Sequence, residues 1–130
     1  MLSKKVIQIA TETRKWAEKH EYAFHKDLKC LCAIASVELF KRLKNEKFKP
    51  QLKVAIHGMG GSHVFVVVDN HIVDITATQF GHTKKVVVQP KKDFTILHWY
   101  WRSNKTFKTH KKLIEFQQKT RWSKNQTATL

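Results

Sequence analysis

Three residues of this chain have the types and the order needed to attack a carbonyl: Cys32, then His63, then Asp74, the last two inside HVFVVVDNHIVDITATQF. A thiol becomes a strong nucleophile when it loses its proton. An imidazole in hydrogen-bond reach can take that proton, and a carboxylate on the imidazole's other nitrogen fixes its tautomer. The expected chemistry is attack of a Cys32 thiolate on an amide, ester or thioester carbonyl, with His63 carrying the proton. Water as second substrate makes this a protease, a deamidase or another hydrolase; an amine makes it a transglutaminase or acyltransferase. The residues leave that choice open.

The elements that would position these groups are legible as a change of period along the chain. Ser3 can cap a first helix in which Val6, Ile9, Ala10, Thr13, Trp16 and Ala17 recur at helical spacing, with Lys4, Lys5, Glu12, Arg14 and Lys15 elsewhere. This helix should end near His20. A second helix is expected from about Asp27 or Lys29 to Lys44, and its opening turns, CLCAIASV, are apolar on every side, which suits a helix wrapped by other elements. Beyond Pro50 the pattern becomes that of strands: LKVAIH, HVFVVV, IVDI, KKVVVQ and ILHWYW, separated by turn signals at Gly58, Gly60, Gly61, Asp69-Asn70, Gly81 and Pro90. Thr109 can cap a last helix carrying Leu113, Ile114 and Phe116. Helices followed by an antiparallel sheet predict an α+β fold with one central helix packed on the sheet. Residues 1–122 read as one domain and 123–130 as a polar tail.

Of the two cysteines, the helical wheel favours Cys32. It shares a side with Ala35, Ser36, Leu39, Phe40 and Leu43, the stripe that must meet the sheet, whereas Cys30 lies near Val37 and Lys41. A thiol in the first turn of a helix also meets the positive end of the helix dipole and unpaired backbone N–H groups. Those favour the thiolate and can receive an oxyanion. The bland alternative is that a cysteine on an apolar helix face is simply core. Cys30 reads as a spare thiol or a neighbour of the site. A Cys-x-Cys pair can seed a zinc site, but two further ligands at sensible spacing are not evident, so no metal is expected.

Whether His63 and Asp74 meet depends on register. With Asp69-Asn70 as a two-residue loop, Val68 opposes His71 and Phe65 opposes Asp74, so Asp74 lies on the His63 face, displaced diagonally by one pair. With Asn70-His71 as the loop, Asp74 opposes Val67, on the same face but farther away. The chemistry requires the first register. Asp74 could instead serve only a local turn with Thr76 or Thr78.

These residues resemble a known superfamily. C-A-I-A-S, with Ser36 one helical turn after Cys32, resembles the nucleophile helix of papain-like enzymes, and HVFVVVDNHIVDITATQF resembles the paired His and Asp strands of transglutaminase-like proteins. The likeness covers Asp27 to Phe80. It implies a papain-like or transglutaminase-like core and a Cys32, His63, Asp74 triad, working without a cofactor. Papain-like proteases also carry an oxyanion-hole Gln upstream of the cysteine, and the matching stretch here, AFHKDLK, has none. His25 is then a candidate for that contact, as is Gln79 if the chain after Asp74 folds back.

Composition sets the setting. With 42% apolar residues in 130 and no apolar run of membrane-spanning length, the chain is expected to be globular, without a transmembrane segment. Two cysteines this close in sequence do not make an ordinary disulfide, and no secretory signal is evident, so a reducing, cytoplasmic setting is expected. Twenty-five basic against ten acidic residues give a formal charge of +15. Such a surface concentrates acidic protein substrates or nucleic acid. The second reading of the chain is therefore a basic nucleic-acid-binding module, or an inactive member of the fold used for binding. KRLKNEKFK, HWYWR and KTHKK interleave bases with aromatics as such modules do, although no nucleic-acid-binding signature is present.

The two readings separate by salt. If the charge serves nucleic acid, a Cys32→Ala protein binds duplex or single strands with an affinity that falls linearly on a log-log salt plot. Undetectable binding by this variant near physiological salt removes the binding-module reading.

Overall fold

Ser3 opens the first helix as its spacing requires. In extended conformation (φ −63°, ψ 140°) its side chain accepts a hydrogen bond from Lys5 N at 3.1 Å, and α1 runs Lys4–Glu18. The computed structural model describes residues 2–23, 31–57, 62–80, 83–91, 101–107, 109 and 111–116, of which 56, 57, 62 and 101–105 are described by backbone alone. Val6, Ile9, Ala10, Thr13 and Ala17 are buried as the pattern predicts, with Trp16 half-buried. Arg14 corrects the sequence reading. It lies one turn beyond Ala10 and one turn before Ala17, inside the buried face, and is only 2% exposed.

The second helix, α2, spans Cys32–Asn45. It starts later than expected because Leu31, at φ −106° and ψ 6°, is already outside the helix and supplies no side-chain cap. The first turn of α2 is therefore the one that begins with Cys32. Ala35, Ser36, Leu39, Phe40 and Leu43 are buried, but Ile34 is exposed and Cys32, Ala33 and Val37 are half-buried, so the helix is covered on one side rather than wrapped. It ends in a Schellman motif: Phe48 N donates to Leu43 O at 3.0 Å and Lys47 N to Lys44 O at 3.0 Å. That geometry puts Lys47 at φ 68°, the left-handed conformation that usually calls for glycine.

Five antiparallel strands follow, β1 Gln51–His57, β2 Ser62–Val68, β3 His71–Asp74, β4 Val87–Pro90 and β5 Trp101–Phe107, in the order β4-β3-β2-β1-β5. The hairpin between β2 and β3 turns on Asp69 and Asn70, both at positive φ (50° and 59°), which matches a two-residue type I′ turn and gives the register Val68↔His71, Val67↔Ile72, Val66↔Val73. Two strands depart from expectation. Pro90 closes β4 rather than interrupting it, as the outermost strand needs no N–H there. A strand not expected from the pattern, WRSNKTF, shares only Trp101 with ILHWYW, whose other residues lie outside the described ones; among the described residues it pairs with β1 and carries no continuous apolar run. Residues 92–100 lie outside the described residues, as does the expected tail 123–130. Thr109 caps the helical segment 111–116, its Oγ1 accepting from Lys112 N at 3.3 Å.

The molecule is thus α+β, with α1 packed on α2 and α2 on β2 and β1. Strand alternation sorts the core into two clusters on opposite sides of the sheet. Leu52, Val54, Val64, Val66, Val68 and Val73 join the helices; Ala55, Phe65, Val67, Ile72 and Val87 form a second cluster. Among the described residues no helix is long and apolar enough to cross a membrane.

Lys47→Gly should stabilise the protein by roughly 0.5–1 kcal/mol, because a glycine loses the Cβ penalty at positive φ. Urea midpoints of the two proteins measure it. A lower midpoint for the glycine variant would contradict the left-handed cap.

Candidate active site

His63 and Asp74 come together because the hairpin adopts the tight register. Continued past Val66↔Val73, that register sets Phe65 opposite Asp74, and alternation puts His63, Phe65 and Asp74 on the face of the second cluster. His63 Nε2 lies 2.5 Å from Asp74 Oδ2, and both residues are 0% exposed. The carboxylate's other oxygen is occupied too: Oδ1 accepts from Thr76 N at 2.9 Å and faces Thr76 Oγ1 at 3.4 Å. Asp74 thus makes both the local turn and the imidazole contact, one oxygen for each.

The thiol arrives from the helix layer. Cys32 is half-buried at the rim of the main core and interacts with the His63 side chain as a hydrogen-bond partner. With Nε2 engaged by Asp74, the thiol and the Gln79 amide, whose Nε2 lies 3.4 Å from Nδ1, both fall to the ring's other nitrogen. One turn along α2 from Cys32, the buried Ser36 Oγ donates to Val64 O at 3.0 Å, tying the helix to β2 at the residue next to His63. Thiol and imidazole come from different layers: β3 ends at Asp74, so His63 lies beyond the part of β2 that pairs with β3, while on its other side it pairs with Ala55 of β1.

Burial pulls the His63 pKa down, but the Asp74 charge and its hydrogen bond, with Cys32 adding in the same sense, overcome this and push it up to about 10. At neutral pH the ring is therefore an imidazolium held between a carboxylate and a thiol. Such a group stabilises a neighbouring thiolate and can return a proton to a leaving group.

The chain after Asp74 does fold back. A 3-10 turn, Ala77–Phe80, brings Gln79 Nε2 to 3.4 Å from His63 Nδ1 and 3.2 Å from Thr76 Oγ1. Phe80 closes on the ring edge to face at 4.7 Å and 88°, and Phe65 stacks on it at 5.9 Å and 23°. The turn from Asp74 to Phe80 therefore wraps the imidazole. His25 and Cys30 lie outside the described residues. Sequence reasoning did not single out Phe80 or Arg14; Arg14 could have been found on the helical wheel, whereas Phe80 becomes visible only once the turn is formed. Among the described residues no group of three or more His, Cys, Asp or Glu side chains could hold a metal ion.

The raised histidine has a stability consequence. An unfolded histidine titrates near 6.5, so between about 6.5 and about 10 the folded chain holds a proton that the unfolded chain has lost. The stabilisation is fully present below the first value and is lost as pH rises through the second. Urea unfolding at pH 6, 8 and 9.5 should show wild type losing its advantage over a His63→Gln variant as pH rises; a gap independent of pH would refute the charged pair.

No family model, curated protein sequence or solved structure matches this chain, so the reading of the site rests on its own residues and their geometry.

Proposed function

We propose that this chain is a thiol acyl-transfer enzyme with a papain-like or transglutaminase-like core, in which Cys32 is the nucleophile, His63 the general acid and base, and Asp74 the carboxylate that orients the imidazole. The observation that carries the reading is a fully buried imidazole with a carboxylate on one nitrogen and a thiol as its other partner. A structural core histidine needs a hydrogen-bond partner; it does not need a half-buried thiol at a helix start.

The steps follow from the groups. The Cys32 thiolate adds to the carbonyl carbon, and the tetrahedral oxyanion is received by the first-turn N–H groups of α2, which have no side-chain cap, with the Gln79 amide a candidate second donor. His63 gives its proton to the departing amine, alcohol or thiol as the carbonyl re-forms into a thioester on Cys32. The neutral ring then takes a proton from the acceptor, water or an amine, which attacks the thioester and releases Cys32. Asp74 holds the Nε2 proton throughout and offsets the ring's charge. In this reading Gln79 stands after the carboxylate in sequence, rather than before the cysteine as in papain-like proteases. A formal charge of +15 suits an acidic protein or peptide substrate.

Alkylation with iodoacetamide at neutral pH, followed by peptide mapping, should modify Cys32 ahead of Cys30. Hydrolysis or aminolysis of a peptidyl thioester should be abolished by Cys32→Ala, largely retained by Cys30→Ala, and slowed on the order of 10²- to 10⁴-fold by Asp74→Asn, the usual range for general acid and base catalysis. Preferential modification of Cys30, or full turnover by Cys32→Ala, would overturn the assignment.

A further inference from the structure

We propose that Arg14 is a positioning residue of this site: from the helix layer its guanidinium clamps the turn that follows Asp74 and keeps the carboxylate and Gln79 aligned with the His63 ring. The inference rests on the acyl-transfer reading and adds to it a residue 49 positions before His63 and 60 before Asp74. Arg14 Nη1 donates to Ile75 O at 2.8 Å and to Thr78 Oγ1 at 2.9 Å, across 61 and 64 residues of sequence. These two acceptors bracket Thr76, which holds Asp74 Oδ1, and Thr78 precedes Gln79, which reaches His63 Nδ1. Every group of the turn that touches the imidazole is therefore within a residue or two of a point pinned by Arg14.

Stability alone explains this arrangement poorly. Taking a guanidinium out of water is costly, and buried charges seldom repay that cost against an apolar side chain of similar size. Here the side chain is 2% exposed, and two of its hydrogen bonds go to a main-chain carbonyl and a hydroxyl. Glu18 balances its charge from 3.5 Å and is itself held at 2.8 Å by Lys85, just ahead of β4. The network thus joins α1 to the turn and to the approach of β4, on the side of the sheet away from the imidazole. Both bonds leave one nitrogen, Nη1, whose two hydrogens are held in the guanidinium plane, so the acceptors are kept at a separation that the freely rotating ammonium of a lysine does not impose.

The test uses the full chain with Arg14→Lys, which keeps the charge and loses the planar guanidinium donor, and Thr78→Val, which removes one acceptor at a half-buried position. The readouts are the ¹⁵N titration of the His63 ring and the rate of Cys32 alkylation by iodoacetamide, with thermal unfolding as a check on folding. If Arg14 positions the site, folded Arg14→Lys protein shows a His63 midpoint moved from about 10 toward the ordinary value near 6.5. Its alkylation slows on the order of tenfold, the loss of one hydrogen bond to a charged group. Thr78→Val moves both readouts the same way by less, and decides alone if Arg14→Lys does not fold. Wild-type titration in the folded variants would overturn the inference. The ring titration needs no substrate, so a wild-type chain that transfers no acyl group would refute the enzyme reading while leaving the clamp to be judged on its own.

Discussion

A charged imidazole sealed from water must draw all its stabilisation from protein groups, and His63 is such a ring. Its partner Asp74 is equally buried, so removing either leaves a charge with nothing to balance it, a loss of about 3–5 kcal/mol for pairs of this kind. Much of the surrounding structure meets that demand. Thr76 saturates the carboxylate oxygen that the ring does not use, and Phe65 and Phe80 take the ring's face and edge. The hairpin register is subject to the same constraint. A slip of one residue would turn Asp74 to the helix side of the sheet and leave His63 alone, and the positive φ of Asp69 and Asn70 holds the loop at the two residues that prevent it.

The three groups of the proposed site come from two sides of one sheet. His63 and Asp74 belong to the face of Phe65 and Ile72, while Cys32 belongs to the helix layer that covers Val64 and Val66. They meet where β3 has ended and β2 has not. The Ser36 to Val64 hydrogen bond matters here because it fixes α2 along its axis beside the meeting point, one turn from the thiol. It gives the serine of C-A-I-A-S a mechanical role: it sets how far Cys32 stands from the ring.

What could be read in the sequence follows from how local each feature is. The hairpin was legible because turn residues and alternation lie within a dozen positions, and its register then carried His63 and Asp74 onto one face. The first helix was legible from its stripe, yet Arg14 was misassigned to the outer face. A charge in a buried position is explained only by acceptors 61 and 64 residues away. The start of α2 was placed too early because CLCAIASV has no internal punctuation, and apolar residues continue a helix or a chain leading into one equally well. The strand WRSNKTF was not legible because it lacks the apolar alternation that marks ILHWYW, and its place follows from pairing with β1, some fifty residues earlier in the chain. Gln79 was visible as a candidate, but its approach to His63 needed the fold-back that the Asp74 to Thr76 bond begins.

The same distinction between local and distant contacts divides the site itself. His63 and Asp74 are 11 residues apart on one hairpin, so the base is assembled wherever that hairpin forms. Cys32 joins it only when α2 docks, through a contact spanning 31 positions and secured by Ser36. In the unfolded chain the thiol has no imidazolium beside it and the imidazole no carboxylate at bonding distance. The pairing of thiol and imidazole is therefore a property of the packed helix and sheet together, not of either alone. On the acyl-transfer reading proposed above, that arrangement would confine the nucleophile to the folded molecule, where α2 delivers Cys32 beside the first residues of β2.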